Sequence, residues 1–512
     1  MACASSQLVR LLGFRQTPCT SFSSALTAAT SSTISAKAGH FPTLSPLPLA
    51  LSINLTETNR RNSAALRCCL TFVAKDESAA STNTALEENN RVVSEEDTTN
   101  ASGDGDTADI RLFQSTGSSL KAALKKYASF VSLIHKLLRD DLRRRRIWGG
   151  VLVNTGLITF LVISLLALDW YSWKTLGLPL KPFHFTSPFL ISAALAGFAG
   201  FLYIPIVDNM KVHQILRQEG PSTHSSKRKT PTMGGLFFVP VGIAVARHFT
   251  SSNSLAVYGA ILATLAFAAI GFVDDLLSRI KSHNYGLPGW VKLSLQVAVG
   301  LCFSIWLDSA SISLPWNMNL SAHLPRPFGP LYLGKYYLAL TAFCFAAMGN
   351  GVNLTDGLDG LAGGVAAWAF IGMSMASIAI SPDLAVFGAS MSGACVGFLF
   401  HNRYKASIFM GDTGSLALGG ALAAMASLTG MFFPLFISSG VIVMEVLSVI
   451  LQVLSVKITR KLHGVSRRVF RMAPIHHHFE LCGIREPIIV ASAYFLSSIL
   501  ALIAGCTGFI LI

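Results

Sequence analysis

The amino-acid sequence predicts an all-α protein that crosses a membrane many times. Of its 512 residues, 52% are hydrophobic and only 13% are charged, whereas a soluble globular protein carries about 25% charged residues. The mean hydropathy of +0.53 agrees with this composition. From residue 147 onward, long apolar stretches alternate with short polar ones, and about 20 apolar residues suffice for a helix to cross a bilayer. These observations indicate a polytopic membrane protein.

Two hydrophilic segments come first. Residues 1–74 are basic and rich in Ser, Thr and Ala, with Glu57 as the only acidic residue. This composition is typical of an organellar transit peptide. We interpret it as a plastid address, with a mitochondrial address or a merely disordered tail as the alternatives. Residues 75–116 are acidic and poor in apolar side chains, so they are predicted to form a disordered linker.

A surface helix and an additional span are predicted next, over residues 117–185. The pattern at 117–142 is that of a basic amphipathic helix, which lies at a membrane surface. Arg143–Arg146 then precede the first apolar run. The remaining residues, 186–512, form the predicted multi-span domain. By the length rule the chain contains about eleven spans, at 147–169, 186–206, 234–250, 254–273, 290–307, 336–351, 360–380, 383–401, 415–430, 434–456 and 487–510.

The polar loops of the multi-span domain are predicted to meet on one face of the membrane. Two spans separate each of these loops from the next, and two crossings return the chain to the same side. Lys and Arg concentrate in the same loops, which marks the interior compartment. That bias also explains the formal net charge of +14, and no nucleic-acid-binding motif is present. The loops are 207–233, 274–289, 351–359, 402–414 and 457–486.

Carboxylates at the ends of spans are the first candidates for chemistry. Asp274 and Asp275 are adjacent in GFVDD, and Asp356 and Asp359 lie among glycines in NLTDGLDGLAGG. A carboxylate inside a span costs about 2.5–3.5 kcal/mol on insertion scales, so it needs a compensating use. Vicinal carboxylates suit a divalent cation or general-base work. Asp412, in FMGDTGSLALGG, is the best single candidate for a Mg²⁺ ligand.

Cations, hydroxyls and histidines lie in the other loops. Lys227 precedes TPTMGG, where hydroxyls such as that of Thr232 and free backbone favour an anion-binding site. Phe409 is equally consistent with stacking on a nucleobase and with an interfacial aromatic role. Consecutive residues of a helix are rotated by about 100°, so His476–His478 cannot share one metal ion. Four polar residues inside spans have no predicted role: Lys292, Gln296, Glu445 and Gln452.

Together these residues predict phosphate chemistry at the bilayer surface, with a lipid as one substrate. The motifs TPTMGG, GFVDD, NLTDGLDGLAGG, FMGDTGSLALGG and MAPIHHHFELCG follow one another over about residues 186–512. In this order they closely resemble the phospho-N-acetylmuramoyl-pentapeptide transferases, or translocase I, of the polyprenyl-phosphate N-acetylhexosamine-1-phosphate transferase superfamily. The resemblance implies a ten-helix core, here preceded by the additional span. It also implies Mg²⁺-dependent transfer of phospho-MurNAc-pentapeptide from UDP to polyprenyl phosphate, which yields lipid I and UMP.

The resemblance further implies individual roles. Asp412 would bind Mg²⁺, Asp274 with Asp275 would act on the lipid phosphate, and His476 would be catalytic. The remaining residues would contact substrate. Lys227, Asp356, Asp359, Asn402 and Phe409 would hold uridine diphosphate, and Gly357 and Leu358 would line the base pocket. Asn353 and Ser415 would give polar support, and His477 and His478 would contact the diphosphate or sugar-peptide. Thr232 is predicted to bind substrate through its hydroxyl in the anion-binding run.

Two positions depart from the family pattern, and two other functions compete with this one. Lys229 stands where the family commonly has Gly, and Lys405 where it commonly has Pro.

The first rival function is that of a transferase that uses UDP-GlcNAc, and the motif MAPIHHHFELCG argues against it. The second is a transporter or scaffold without catalysis. The expected location is the plastid inner envelope with the active face toward the stroma, and a homodimer is one assembly that the resemblance allows.

Overall fold

The computed structural model describes residues 147–174, 182–213, 230–281, 286–309, 321–323 and 329–511, together with Ser129, Ser132 and Lys136. Regular structure in these residues is almost entirely helical, which confirms the predicted fold class. The first helices are α1 Ile147–Lys174, α2 Thr186–Asn209, α3 Gly235–Phe249, α4 Leu255–Ile280, α5 Gly289–Ser309 and α6 Tyr336–Thr355. The following helices are α7 Leu361–Ser377, α8 Pro382–Asn402, α9 Gly411–Thr429, α10 Phe432–Ser438, α11 Gly440–His463, α12 Ile475–Leu481 and α13 Glu486–Leu511.

Eight of these helices are long and apolar enough to cross a membrane: α1, α2, α4, α5, α6, α8, α11 and α13. Helices α3 and α7 are apolar but shorter. The additional span predicted at 147–169 exists as α1. The predicted transit peptide at 1–74 and acidic linker at 75–116 lie outside the described residues. Of the predicted surface helix at 117–142, only Ser129, Ser132 and Lys136 are described, and all three are helical and exposed.

Helices α8 and α9 form the centre of the protein. Nearly every side chain of both helices is buried, and both are rich in Gly, Ala and Ser. Small side chains let helix backbones approach closely, which is how helices associate in a membrane. Helix α8 packs against α2 and α3, whereas α9 packs against α4 and α6. The first turn of α9 is therefore surrounded by other helices, and it carries Asp412.

Two details of the predicted spans were wrong, and one pair of strands was not predicted. The span predicted at 434–456 is broken at Ser439 into α10 and α11, because a Ser-Ser-Gly sequence at 438–440 is a weak helix former and a common site of kinks. Helix α4 continues to Ile280, so Asp274 and Asp275 lie inside the helix rather than at its end. Between α5 and α6 the chain forms an antiparallel pair of three-residue strands, β1 Ser321–His323 and β2 Pro330–Tyr332, which are too short to leave a periodic signal.

Candidate active site

Asp275 holds the amino end of α9 in place. One of its carboxylate oxygens accepts a hydrogen bond from the backbone N–H of Asp412 at 3.0 Å. The other accepts from the Thr413 N–H at 2.9 Å and from the Thr413 hydroxyl at 2.6 Å. The first N–H groups of a helix lack internal partners and carry partial positive charge, so a carboxylate stabilises them. Asp275 thus positions Asp412, and both of its oxygens are used in doing so.

Lys292 joins two carboxylates that come from different helices. Its Nζ lies 3.4 Å from Asp274 Oδ2 and forms an ion pair with Asp412 Oδ2. Asp274 Oδ1 accepts a hydrogen bond from the Leu287 N–H at 2.6 Å, and Asn353 Nδ2 donates to Asp412 Oδ2 at 3.3 Å. The side chains of Lys292 and Asp274 are only 12% and 13% exposed, and charges this far from water are stable only when paired. We call Asp274, Lys292, Asn353 and Asp412 the carboxylate cluster.

Segment 230–235 packs against segment 409–411 through the backbone. The N–H groups of Gly234 and Gly235 donate to the carbonyls of Phe409 and Met410, each at 2.9 Å, and the Phe409 N–H donates to the Pro231 carbonyl at 2.9 Å. Gly411 has a φ of +73°, a left-handed conformation that glycine adopts without strain. The TPTMGG and FMGD motifs are therefore parts of one structure next to the carboxylate cluster.

The predicted site residues of these two motifs differ in their burial and in their hydrogen bonds. The Thr232 N–H donates to the Val212 carbonyl at 3.1 Å. Phe409 is partly exposed, as a stacking platform requires. Ser415 is buried inside α9, and its hydroxyl lies 3.5 Å from the Asp412 carbonyl. Lys227 lies outside the described residues.

Asp359 and Asn402 connect the 356–360 turn to the segment that follows α8. Asp359 Oδ2 accepts a hydrogen bond from the Ala406 N–H at 3.1 Å. Asn402 accepts from the Gly360 N–H at 3.0 Å and donates to the Ile408 carbonyl at 2.8 Å. Because these side-chain atoms contact backbone, the structure gives both residues a supporting role. Direct contact with a nucleotide stays a prediction for both.

The other members of the 356–360 turn have different environments. Asp356 caps the end of α6 and is partly exposed. Leu358 is only 3% exposed and belongs to the hydrophobic core, which leaves little of its side chain to line a base pocket. Gly357 lies against His476, where an added Cβ would be 2.2 Å from His476 Nε2. Glycine is therefore the residue that fits at position 357.

The three histidines face different partners, as helical rotation predicts. His476 Nδ1 lies 3.1 Å from Glu445 Oε2, and the two side chains are only 2% and 5% exposed. Among the described residues, neither ring nitrogen of His476 has a hydrogen-bond partner, so Nδ1 and the Glu445 carboxylate are close without forming a hydrogen bond. His477 Nδ1 lies 3.3 Å from Glu480 Oε2, and His478 Nδ1 accepts from the Arg471 N–H at 3.2 Å. Only His476 is therefore buried beside the 356–360 turn.

All five predicted loops meet at this site. Asn353, which contacts Asp412, and Gly357, which contacts His476, are four residues apart on the same stretch of chain. Lys292 and Glu445 had no predicted role, yet each pairs with a predicted catalytic residue. The available signal was an ionisable side chain inside an apolar span, which is costly without a partner. Among the described residues, no group of three or more His, Cys, Asp and Glu side chains is arranged to hold a metal ion.

Comparison with known proteins identifies the family. The Glycosyl transferase family 4 model matches residues 257–430, and signature 1 of the phospho-N-acetylmuramoyl-pentapeptide-transferases matches residues 227–239. The chain is 40% identical over 361 residues to the phospho-N-acetylmuramoyl-pentapeptide-transferase of Trichormus variabilis, covering 69% of this chain and 95% of that one. The chain belongs to the phospho-N-acetylmuramoyl-pentapeptide-transferase family.

Two further relatives in this transferase family have similar identities. The enzyme of Synechocystis sp. is 40% identical over 357 residues, which cover 69% of this chain and 94% of the relative. The enzyme of Picosynechococcus sp. is 44% identical over 318 residues, which cover 62% of this chain and 85% of the relative. The family model, at 257–430, includes Asp274, Lys292, Asn353 and Asp412, and the transferase signature includes TPTMGG. The carboxylate cluster thus lies within the part of the chain that defines the family.

Proposed function

We propose that this protein transfers phospho-MurNAc-pentapeptide from UDP-MurNAc-pentapeptide to polyprenyl phosphate, forming lipid I and UMP. The observation that carries the proposal is the carboxylate cluster, in which Lys292 joins Asp274 and Asp412 beside the amino end of α9. Transfer of a phosphoryl group depends chiefly on positioning and on neutralising charge. Family membership supplies the substrates, because the relatives carry the name of this transferase.

In the proposed reaction an oxygen of polyprenyl phosphate attacks the β-phosphorus of the donor. The bond between that phosphorus and the oxygen bridging to the α-phosphate breaks, and UMP leaves with the electron pair. Asp275 is fully hydrogen-bonded, and Asp274 and Asp412 are ion-paired with Lys292. Pairing with a cation reduces the nucleophilicity of a carboxylate, so these contacts favour direct attack by the lipid over a phospho-enzyme.

Mg²⁺ is the proposed cofactor. The oxygen donors fit this ion, because Mg²⁺ is commonly bound by one or two carboxylates together with substrate phosphates rather than by a complete protein cage. Asp412 and Asp274 would hold it, in a place where the ammonium of Lys292 already lies between carboxylates. When bound, Mg²⁺ neutralises charge on the diphosphate. The chain's own residues position Asp412 through Asp275 and fix the 356–360 turn through Asn402.

We also propose that the protein acts in a plastid membrane with its site facing the stroma. Residues 1–74 have the composition of a transit peptide, and the relatives reported above are cyanobacterial. The basic residues of the polar loops support an interior orientation of the site. A fusion of residues 1–74 to a fluorescent protein tests the address, and accumulation of that fusion outside plastids would contradict it.

The transferase activity is tested with the purified full chain in detergent, given Mg²⁺, polyprenyl phosphate and either UDP-MurNAc-pentapeptide or UDP-GlcNAc. We expect UMP and lipid I with the muramyl donor only. Asp412→Asn should abolish both products, whereas Asp308→Asn, at the exposed far end of α5, should not. If UMP were released with UDP-GlcNAc but not with the muramyl donor, the protein would be the sugar-phosphate transferase that uses UDP-GlcNAc. Release with neither donor from a folded protein would favour a transporter or scaffold.

A further inference from the structure

Helix α1 is anchored to other helices at two points. At its carboxyl end, Asp169 accepts hydrogen bonds from the N–H groups of Phe185 and Thr186 at 2.9 and 3.0 Å and from the Thr186 hydroxyl at 2.6 Å. This carboxylate therefore caps the start of α2. Farther along α1, the Phe160 ring packs edge-on against Trp368 of α7 with centroids 5.0 Å apart. Helix α1 cannot shift without losing these contacts.

The amino end of α1 lies against the backbone of Tyr404. Gly150 is buried, and a Cβ built on it would lie 2.6 Å from the Tyr404 carbonyl oxygen and 3.0 Å from Tyr404 Cβ. Contacts below 3.0 Å require one of the partners to move. Since α1 is fixed, the segment containing Tyr404 would have to move. Gly156, two turns along the same helix, is exposed and has no atom within 4 Å of its Cβ position.

Tyr404 belongs to residues 402–409, which we call the 402–409 segment. Its hydrogen bonds join the parts of the site assigned to the donor nucleotide. The Ala406 N–H donates to Asp359, Asn402 donates to the Ile408 carbonyl, and the Phe409 N–H donates to the Pro231 carbonyl. A displacement at Tyr404 would therefore strain the link to the 356–360 turn and move the partly exposed ring of Phe409.

From these contacts we infer that α1 is a positioning element for the 402–409 segment, with Gly150 as the residue at the contact. Helix α1 lies outside the 257–430 match to the family model. The nucleotide at this segment rests on the proposed function; the contact between α1 and the segment does not. Gly150 touches no reacting group, so its effect is on the binding of the nucleotide donor rather than on the chemical step.

The experiment compares Gly150→Ala with Gly156→Ala, because both replacements are the same and both sites are in α1. Alanine is more favourable than glycine inside a helix, so neither change weakens α1 itself. We expect Gly150→Ala to raise KM for the UDP donor by about ten- to a hundredfold, the scale on which misplacement of binding groups acts. The kcat of the folded protein should change by less than about twofold, as expected for lost binding alone. Gly156→Ala should match the wild type.

Hydrogen exchange provides a readout that needs no substrate. The Ser407 N–H donates to the His401 carbonyl at 2.7 Å. We expect the amides of Ala406, Ser407 and Phe409 to exchange faster in Gly150→Ala than in Gly156→Ala, because their hydrogen bonds lie in the displaced segment. Unchanged exchange together with unchanged KM would overturn the inference, as would a loss of kcat with no change in KM. If the wild type makes no lipid I, the proposed function fails, and the exchange data alone decide whether α1 holds the segment.

A second variant covers the case in which Gly150→Ala does not fold. Phe160→Ala removes the ring that packs on Trp368 and adds no bulk. We expect it to let α1 move away from the 402–409 segment, so that the same three amides exchange faster. Normal exchange at 406–409 in folded Phe160→Ala would contradict the positioning role.

Discussion

His476 Nδ1 lies 3.1 Å from Glu445 Oε2, although the two residues are on separate helices and both side chains are almost fully buried. A carboxylate beside one ring nitrogen restricts the orientation of an imidazole. The other nitrogen, Nε2, then faces the 356–360 turn beside Gly357. Glu445 is therefore a positioning residue for His476.

The first prediction concerns this pair. Glu445→Gln keeps the shape of the side chain but removes its charge, so His476 loses the group that orients it. We expect kcat to fall by about ten- to a hundredfold, the lower part of the range for proton-transfer groups, with KM for the donor little changed. UMP release measured against donor concentration separates kcat from KM. Asp383→Asn, at the opposite end of α8 from Asn402, is the control, and an equal loss there would remove the case for Glu445.

Lys292 carries the second prediction. Replacing it by Met leaves Asp274 and Asp412 facing each other without a cation, and removing one partner of a buried ion pair is strongly destabilising. We expect a lower melting temperature and loss of transfer by more than about a hundredfold, the scale for removal of one preorganised charge-stabilising group. Lys335→Met, just before α6 at the end far from Asn353, should retain both properties.

A double variant separates the two effects of Lys292. In Lys292→Met combined with Asp274→Asn, the repulsion between the carboxylates is absent, so the melting temperature should recover while transfer stays lost. Recovery of transfer in the double variant would show that Lys292 serves only to balance charge in the folded protein.

Asp275 provides the third prediction, because the structure uses its oxygens to cap α9. An asparagine retains one acceptor, whereas an alanine retains none. We expect Asp275→Asn to keep part of the transfer activity, and Asp275→Ala to lose it and to destabilise the protein by about 1 kcal/mol, as other lost caps do. Thermal unfolding and UMP release measure the two effects. If Asp275→Asn were as inactive as Asp275→Ala but fully stable, Asp275 would be a base rather than a cap.

The sequence was sufficient for most of the helices and for bringing the polar loops to one site. Apolar length predicts spans because backbone groups in a membrane must be satisfied within the helix, and spacing by two spans places Asp274, Asn353 and Asp412 together. It could not predict the pairing of Lys292 with Asp412, since 120 residues separate them. The sequence also did not predict the break at Ser439, because the apolar pattern continues from α10 into α11.

The residues predicted to bind nucleotide show a second limit of sequence reasoning. Asp359 was selected because a carboxylate in a membrane protein is costly and needs a use, and the resemblance assigned both Asp359 and Asn402 to the nucleotide. The structure shows that hydrogen bonds to Ala406, Gly360 and Ile408 are such a use. Residue type and position cannot distinguish a side chain that contacts substrate from one that holds the surrounding backbone, because both require a polar group at the same place.

The last prediction concerns metal binding. Two carboxylates, both of them paired with Lys292, are too few for tight binding of Mg²⁺ without phosphate oxygens. We therefore expect weak binding of Mg²⁺ to the protein alone and much tighter binding when the UDP donor is present. Because coupling between two ligands is reciprocal, Mg²⁺ must tighten donor binding by the same factor. Calorimetric titration of each ligand with and without the other measures this factor, and chelation of Mg²⁺ should stop UMP release until the ion is restored.

Variants locate the ion. In Asp412→Asn the coupling between Mg²⁺ and the donor should disappear while the protein stays folded, and in Asp308→Asn it should persist. Equal coupling in wild type and Asp412→Asn would place the ion elsewhere, because a side chain that has lost its carboxylate cannot bind the metal as before.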